Sequence, residues 1–344
     1  MSTVSLTTTY EGEPFEIPPF PYADLLETGY PFGDWRDQLR DDGFAVIKGA
    51  IPRDRALAYR QKAFDWLESW DRGFDRNDPT TFKDECLPIN KRGGMYFHYG
   101  FAQEQWVWDI RCEEGVRGAF EKLWGTKELV TSQDGGAIML PGRPPIPDTE
   151  KSWKHIDLCP SRKGFFVAQG IVNLNDNGPE DGGLMVIKGS SRLIEQYFDE
   201  KGRPPLRGSG KQIDWHAFDE GEMQWFYDRG CSLVKVCAEP GDLILWDSAT
   251  IHQNCPPSGK RDRIVTYVCQ GPASLVTEED LAVRNLAYNG GFGTSHAPFH
   301  GTFAITEPAT DENGKIDPAG GERKNLRKST DEVLKLAGLK PYST

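Results

Sequence analysis

The chain has 344 residues, enough for one large domain or two small ones, and 38 % of them are hydrophobic, including 10 Trp and 18 Phe. Its formal net charge of −12 excludes the basic surface by which proteins bind nucleic acid, and it gives no general attraction to anionic membranes. The sequence contains no apolar run of about 18 residues or more, so it predicts no transmembrane helix.

The cysteines and the N-terminus indicate a cytoplasmic protein. The seven cysteines are an odd number, and none has C-x-x-C spacing. We therefore expect reduced thiols that pack as small core residues in an intracellular protein, and no zinc site built from them. The first 20 residues lack the basic segment and apolar segment of a secretory signal.

The first part of the chain, residues 1–127, predicts a layer of helices and loops. Residues 44–47 form a short apolar run that predicts a strand, and Pro52 then opens a predicted helix. The helix carries a stripe of large or apolar side chains at helical spacing, which predicts a face packed on the core: Tyr59, Ala63, Trp66 and Trp70. Residues 71–110 predict loops, and a second helix is expected near 113–124.

From residue 128 the pattern becomes that of an all-β core. Short apolar runs are separated by Gly, Pro and Asp, with Pro-Gly turn signals at 141–142 and 240–241. The candidate strands are 128–133, 136–140, 153–158, 164–174, 183–188, 232–237, 242–247 and 263–270. Eight short strands of this kind are typical of a double-stranded β-helix, the jelly-roll or cupin-like architecture.

Two segments depart from this strand pattern. Residues 192–230 are polar and rich in aromatic residues, and they predict a helical excursion over the mouth of the barrel. Residues 273–344 form a mixed C-terminal extension that closes with a short helix near 331–339. The sequence shows no internal repeat and no linker. We therefore predict a single domain over 1–344, mainly β with helical additions, whose jelly-roll core is 128–272.

The motif His155-Ile156-Asp157 is the first candidate for a metal site. Side chains two residues apart in a strand point to the same face, so one short strand can offer an imidazole and a carboxylate to one ion. One further His would complete the 2-His-1-carboxylate triad associated with non-haem Fe(II) oxygenases. On its own the motif is weak, because a strand-end His bonded to an Asp has the same sequence.

His252 is the candidate for the third ligand, and Arg263 follows eleven residues later. His252 lies just beyond a Pro-Gly turn and the apolar run 243–247, in the second half of the predicted barrel. The guanidinium of Arg263 can bind a carboxylate with two parallel hydrogen bonds and stays charged at any working pH. A dicarboxylic co-substrate could therefore bind iron at its keto-acid end and Arg263 at its other end.

These motifs, in this order and spacing, resemble the phytanoyl-CoA dioxygenase-like family of Fe(II)/2-oxoglutarate oxygenases. The resemblance extends over roughly residues 38–300 and includes Asp181-Gly182-Gly183, Pro240-Gly241-Asp242 and Trp246-Asp247-Ser248. It implies that His155, Asp157 and His252 bind iron. It also implies that Arg263 binds the 5-carboxylate of 2-oxoglutarate. Related halogenases replace the carboxylate ligand with a small residue, so an intact Asp157 favours oxygenation.

The second contact to 2-oxoglutarate stays open. Family members often place a Lys or Asn on the strand before the triad, but residues 136–140 here have no polar side chain. The candidates are Gln133, Asn173 and Asn254.

Four residues are candidates for contacts with the substrate: Tyr96, His98, Arg111 and Asp134. Tyr96 and His98 belong to an aromatic segment that we expect to fold over the site, and the other two are polar residues beside aromatic or Gly-rich stretches. For Arg111 and Asp134 a structural ion pair is the competing interpretation. His296 and His300 are expected in a loop near the entrance, because Pro298 between them disfavours a helical metal pair.

The sequence thus predicts a dioxygenase that uses Fe(II), 2-oxoglutarate and O2 to hydroxylate an unactivated C–H bond of a small metabolite or natural product, releasing succinate and CO2. Desaturation or ring closure by the same oxidant is an alternative. A binding module that has kept its ligands without catalysis is another, and a cupin-like zinc or manganese enzyme is a third. We expect a small-molecule substrate and neither nucleic acid nor membrane as partner, and a homodimer stays open.

Overall fold

The computed structural model describes residues 19–27, 29–143, 153–204, 215–311 and 313–342. Two antiparallel sheets form its jelly-roll-like core, and helices pack around them. No helix among these residues is both long and apolar enough to cross a membrane. The helices are α1 (Trp35–Asp42), α2 (Arg53–Glu68), α3 (Gln105–Cys112), α4 (Glu114–Trp124), α5 (Ile194–Lys201), α6 (Glu220–Tyr227), α7 (Glu278–Gly290) and α8 (Asp331–Leu336).

The strands that build these sheets are short. They are β1 (Phe44–Ile47), β2 (Met95–Tyr96), β3 (Leu129–Thr131), β4 (Gly136–Met139), β5 (His155–Ile156), β6 (Ala168–Asn173), β7 (Gly183–Lys188), β8 (His216–Ala217), β9 (Ser232–Lys235), β10 (Leu243–Asp247), β11 (His252–Cys255), β12 (Arg263–Tyr267), β13 (Gln270–Pro272), β14 (Gly293–Thr294) and β15 (Ala304–Ile305). One sheet has the order β1-β10-β6-β12-β4-β2, and the other has the order β8-β5-β11-β7-β9. Two small pairs, β13-β3 and β14-β15, lie outside them.

Alternation along the central strands divides the hydrophobic core into two layers. In β10, Ile244 and Trp246 belong to a cluster that includes Leu184 and Val186 of the second sheet, so they lie between the sheets. Leu243 and Leu245 of the same strand pack instead in the large cluster that contains the helices. Successive side chains of a strand point to opposite faces, and both faces of β10 are buried. Nearly every position of this strand is therefore apolar.

The jelly-roll prediction is confirmed, and each of the eight predicted strands contains an observed one. The predicted helical stripe also packs as expected, since Ala63, Trp66 and Trp70 are buried. Two features differ from the sequence prediction. The excursion 192–230 is not purely helical, because β8 within it pairs with β5. Helix α3 lies in a stretch predicted as loops, because it is buried on several sides and therefore shows no clean apolar period.

Arg284 of α7 ties the C-terminal segments to the core. Its guanidinium is fully buried and donates to four main-chain carbonyls at 2.7–2.9 Å, which belong to Thr131, Pro298, Leu336 and Ala337. Burial lowers the pKa of Arg284 to about 10, so the group remains charged near neutral pH. This one side chain therefore fixes the ends of β3, the 296–300 loop and α8 relative to one another.

Replacing Arg284 by Met should lower the free energy of unfolding by about 3–5 kcal/mol, because four buried carbonyl groups lose their donor and an unsatisfied buried group costs about 1–3 kcal/mol. Urea denaturation monitored by circular dichroism measures this loss. The matched control is Arg53→Met, since Arg53 is exposed and pairs only with exposed Asp176; it should cost less than about 1 kcal/mol. Equal losses for both variants would contradict the anchoring role.

Candidate metal centre and substrate cavity

Strands β5 and β11 bring three metal-ligating side chains together. His155 lies directly opposite His252 in the antiparallel register, and Asp157 follows the end of β5. One ligand atom from each of the three residues lies within 4.8 Å of the others. His155 Nε2 is 3.6 Å from Asp157 Oδ1, and His252 Nε2 is 3.3 Å from Asp157 Oδ2. Among the described residues, this is the cluster whose geometry could hold a metal ion.

Hydrogen bonds around the triad leave its donor atoms facing one another. His155 Nδ1 lies 2.7 Å from the carbonyl of Trp153, and His252 Nδ1 lies 2.9 Å from the carbonyl of Thr250. A carbonyl can only accept, so both Nδ1 atoms carry the proton and both Nε2 lone pairs are free for a metal. Gln169 donates to Asp157 Oδ2 at 2.9 Å and fixes the carboxylate.

The protonation states also fit a divalent cation. Burial and the neighbouring His155 lower the pKa of His252, which favours the neutral imidazole that binds metals. Burial acts to raise the pKa of Asp157, but the neighbouring His155 and His296 hold it well below its usual value. Neutral imidazole nitrogen and ionised carboxylate oxygen are the donors of the 2-His-1-carboxylate iron site.

Arg263 is a buried cation without an acidic partner. It lies at the start of β12, only 2 % exposed, and its Nη1 contacts the sulfur of Met139 at 4.0 Å. Its Nε has no hydrogen-bond partner, and no carboxylate forms an ion pair with it in the described ranges. Gly183, with φ +105°, makes room for it, because a Cβ there would lie 2.2 Å from Arg263 Nε. Burial lowers the pKa of Arg263, so an anion in the adjacent cavity would relieve a costly charge.

The triad and Arg263 line one cavity of about 1430 Å³. Several aromatic side chains line it: Phe97, Trp153, Trp215, Trp246, Tyr267 and Phe303. The Trp153 and His155 rings stack with their centroids 4.6 Å apart. The guanidinium of Arg92 lies 3.9 Å from the centroid of the Trp153 ring. Trp215 and Phe303 are exposed, so the cavity is apolar at its rim as well.

The structure places only some of the sequence-predicted site residues at this cavity. Asn254, His98 and Asp134 line it together with the triad and Arg263, and so do His296 and His300. Gln133, Asn173, Tyr96 and Arg111 are not among the lining residues.

Those four side chains are engaged in the protein interior. The amide of Gln133 donates to the carbonyl of Arg284, and that of Asn173 donates to main-chain carbonyls of Asn175 and Glu239. Tyr96 is fully buried between Trp66 and Phe101. Arg111 donates to main-chain carbonyls of Ala102 and Asp134. We therefore leave them out of the proposed contacts with co-substrate and substrate.

Gln169 is the residue near the metal site that the sequence analysis missed. It lies on β6, two residues before Ile171, which belongs to the cluster between the sheets. The sequence did contain a signal for it, because Gln169 is a polar residue within an apolar strand. A buried polar side chain needs a hydrogen-bond partner in the interior.

Comparison with known proteins agrees with this geometry. The model of the phytanoyl-CoA dioxygenase (PhyH) family matches residues 152–265, which include the triad and Arg263. The chain is 39 % identical over 269 residues to Ava biosynthesis cluster protein O of Aspergillus versicolor, covering 78 % of this chain and 86 % of that protein. It is 23 % identical over 277 residues to a putative phytanoyl-CoA dioxygenase of Dictyostelium discoideum, covering 68 % and 74 % respectively.

A solved structure shows the same fold. The hypothetical protein JW0805 of Escherichia coli, in its high-pH crystal structure, superposes with a TM-score of 0.57 at 18 % identity, over 93 % of this chain and 84 % of that one. The family match, the closely similar fungal relative and the intact His-Asp-His triad lead to one conclusion. This chain belongs to the phytanoyl-CoA dioxygenase family of Fe(II)- and 2-oxoglutarate-dependent oxygenases.

Proposed function

We propose that His155, Asp157 and His252 bind Fe(II), that Arg263 binds the 5-carboxylate of 2-oxoglutarate, and that the enzyme hydroxylates an unactivated C–H bond of a bulky natural product. The observation that carries this proposal is that one cavity is lined both by the triad and by a buried arginine that has no acidic partner among the described residues. A structural His-Asp cluster would need no such cation beside it. A dicarboxylate that reaches from the metal to Arg263 accounts for both features.

Asn254 is the strongest candidate for the second contact with 2-oxoglutarate. It lies two residues after His252 in β11, so both side chains leave the strand on the same face. Its side-chain amide lies 3.8 Å from the Met139 sulfur, which is a weak contact, and the residue lines the cavity. Its amide is therefore available to a carboxylate or keto oxygen.

Bound Fe(II), 2-oxoglutarate and O2 together supply an oxidant that removes hydrogen from a C–H bond while the co-substrate becomes succinate and CO2. The chain contributes orientation and a dry environment. Gln169 holds the Asp157 carboxylate, and the Trp153 and Thr250 carbonyls hold the two imidazoles. Desaturation and ring closure begin from the same oxidant, and no described residue favours either over hydroxylation.

The size and lining of the cavity support a bulky, largely apolar substrate. A volume of about 1430 Å³ exceeds the roughly 300–1,000 Å³ of an ordinary ligand pocket, even after space for 2-oxoglutarate is allowed. The relative from Aspergillus versicolor is named for a biosynthesis cluster, which supports a product of secondary metabolism as the substrate class.

Replacing His155 or His252 by Ala should weaken iron binding by more than about 100-fold, because changes to the groups behind a metal ligand alone cost about 10–100-fold. Iron retained after anaerobic reconstitution and gel filtration, measured per chain, tests this. His98→Ala is the matched control, since His98 lines the same cavity outside the triad. Full iron occupancy in either triad variant would place the metal elsewhere.

Arg263→Met should weaken 2-oxoglutarate binding by about 100–1,000-fold, because a bidentate charged contact in a buried site contributes about 3–4 kcal/mol. Calorimetric titration of the Mn(II)-loaded protein measures the affinity without turnover. The control is Arg261→Met, which removes an arginine two residues away whose guanidinium pairs with Asp181. An unchanged affinity in Arg263→Met would refute the assignment.

A further inference from the structure

The loop that joins β3 to β4 carries Asp134 on a rigid support. Its main chain is hydrogen-bonded on both sides, from Ser132 N to Cys269 O at 2.7 Å and from Tyr267 N to Gly135 O at 3.0 Å. The guanidinium of Arg111 donates to the carbonyl of Asp134 itself at 2.6 Å. Gly135 lets the loop pack closely, since a Cβ there would lie 2.0 Å from the carbonyl oxygen of Tyr96. The position of Asp134 is therefore fixed before any ligand binds.

Asp134 is only 7 % exposed, and it is one of the residues that line the cavity. Its Oδ1 accepts a hydrogen bond from Gly135 N at 2.6 Å. No side chain of the described ranges donates to its second oxygen, and none forms an ion pair with it. A buried carboxylate of this kind is costly unless a ligand donates to it.

A buried cation already lies beside Asp134, because the Arg111 guanidinium contacts its carbonyl, although burial still raises the pKa of the Asp134 carboxyl group to about 6. Arg111 is a fully buried cation that has no ion pair within the part of the chain that the structure describes. Among the nearby acids, Asp134 raises the pKa of Arg111 most, against the lowering caused by burial. A cationic ligand is therefore not required to neutralise the carboxylate. A neutral hydrogen-bond donor would satisfy it.

His296 lines the same cavity, and it partly offsets the rise that burial causes in the pKa of the Asp134 carboxyl group. The two side chains offer complementary functions, since a carboxylate accepts hydrogen bonds and an imidazole N–H donates them. A hydroxyl group has one donor and two acceptor positions, so it can use both. An ether oxygen can only accept, and a protonated amine can only donate.

We propose that Asp134 is a specificity-determining residue that accepts a hydrogen bond from a hydroxyl group of a bulky, largely apolar alcohol or phenol, with His296 as donor to the same group. The inference rests on the proposed function and names the chemical class of its substrate. Asp134 and the triad line the same cavity, so the hydroxyl would be bound in the cavity that contains the metal site.

The test measures binding in the apoprotein, without iron or 2-oxoglutarate. The probes are anthracenemethanol, phenanthrenemethanol and pyrenemethanol, each compared with its methyl ether and its primary amine, and fluorescence titration gives the dissociation constants. At least one alcohol should bind wild-type protein about tenfold more tightly than its ether and its amine, the discrimination that one hydrogen bond to a charged group provides.

Asp134→Ala should abolish this preference, and the isosteric Asp134→Asn should retain part of it, because its amide oxygen still accepts. The control is Glu279→Ala, an exposed acid that lines the same cavity and should leave the preference unchanged. Four results would overturn the proposal: equal binding of ether and alcohol, a preference for the amine, a preference that survives in Asp134→Ala, or no binding of any alcohol. None of them affects the iron and 2-oxoglutarate titrations, which test the proposed function separately.

Discussion

The antiparallel register between β5 and β11 is the constraint on which the site depends. It sets His155 opposite His252, and the period of two along β5 then turns Asp157 to the same face. Strand β7 holds β11 from the other side, with Val186 opposite His252. A slip of one residue would turn one histidine away from the cavity and leave two ligands, too few for a stable iron site. The apolar core between the sheets thus fixes the geometry of the metal site.

Two buried charges define what the cavity can accept beyond the metal. Both line the cavity, and within the described residues Arg263 has no acidic partner and one carboxylate oxygen of Asp134 has no side-chain donor. Both lie on the six-stranded sheet or on the loop that enters it, opposite the strands that carry the triad. A dicarboxylate and a hydroxylated molecule would each satisfy one of them.

The features that could be predicted from sequence are those encoded locally. His155 and Asp157 are two residues apart in one strand, and the Pro-Gly turn before β10 marks where the chain returns toward His252. His252 and Arg263 each begin a strand, β11 and β12, and these two strands are consecutive in the chain. The short apolar runs separated by Gly, Pro and Asp are also a local pattern. They were sufficient to predict the jelly roll, whose sheets the structure confirms.

The features that could not be predicted depend on contacts between distant segments. Arg111 was a candidate substrate contact, but its guanidinium instead supports the loop that presents Asp134, 23 residues later in the sequence. Tyr96 was a candidate substrate contact in an aromatic segment, yet it is fully buried against Trp66 of α2. Gln169 of β6, in the six-stranded sheet, donates to Asp157, which follows β5 of the other sheet. No local pattern encodes which partner a polar side chain finds across the fold.

A crystal structure with Mn(II) and 2-oxoglutarate would test the central claim most directly. The account predicts anomalous scattering from one ion bonded to His155 Nε2, Asp157 and His252 Nε2, with the far carboxylate of 2-oxoglutarate on the Arg263 guanidinium. An ion bound away from these three residues, or 2-oxoglutarate bound without contact to Arg263, would contradict it.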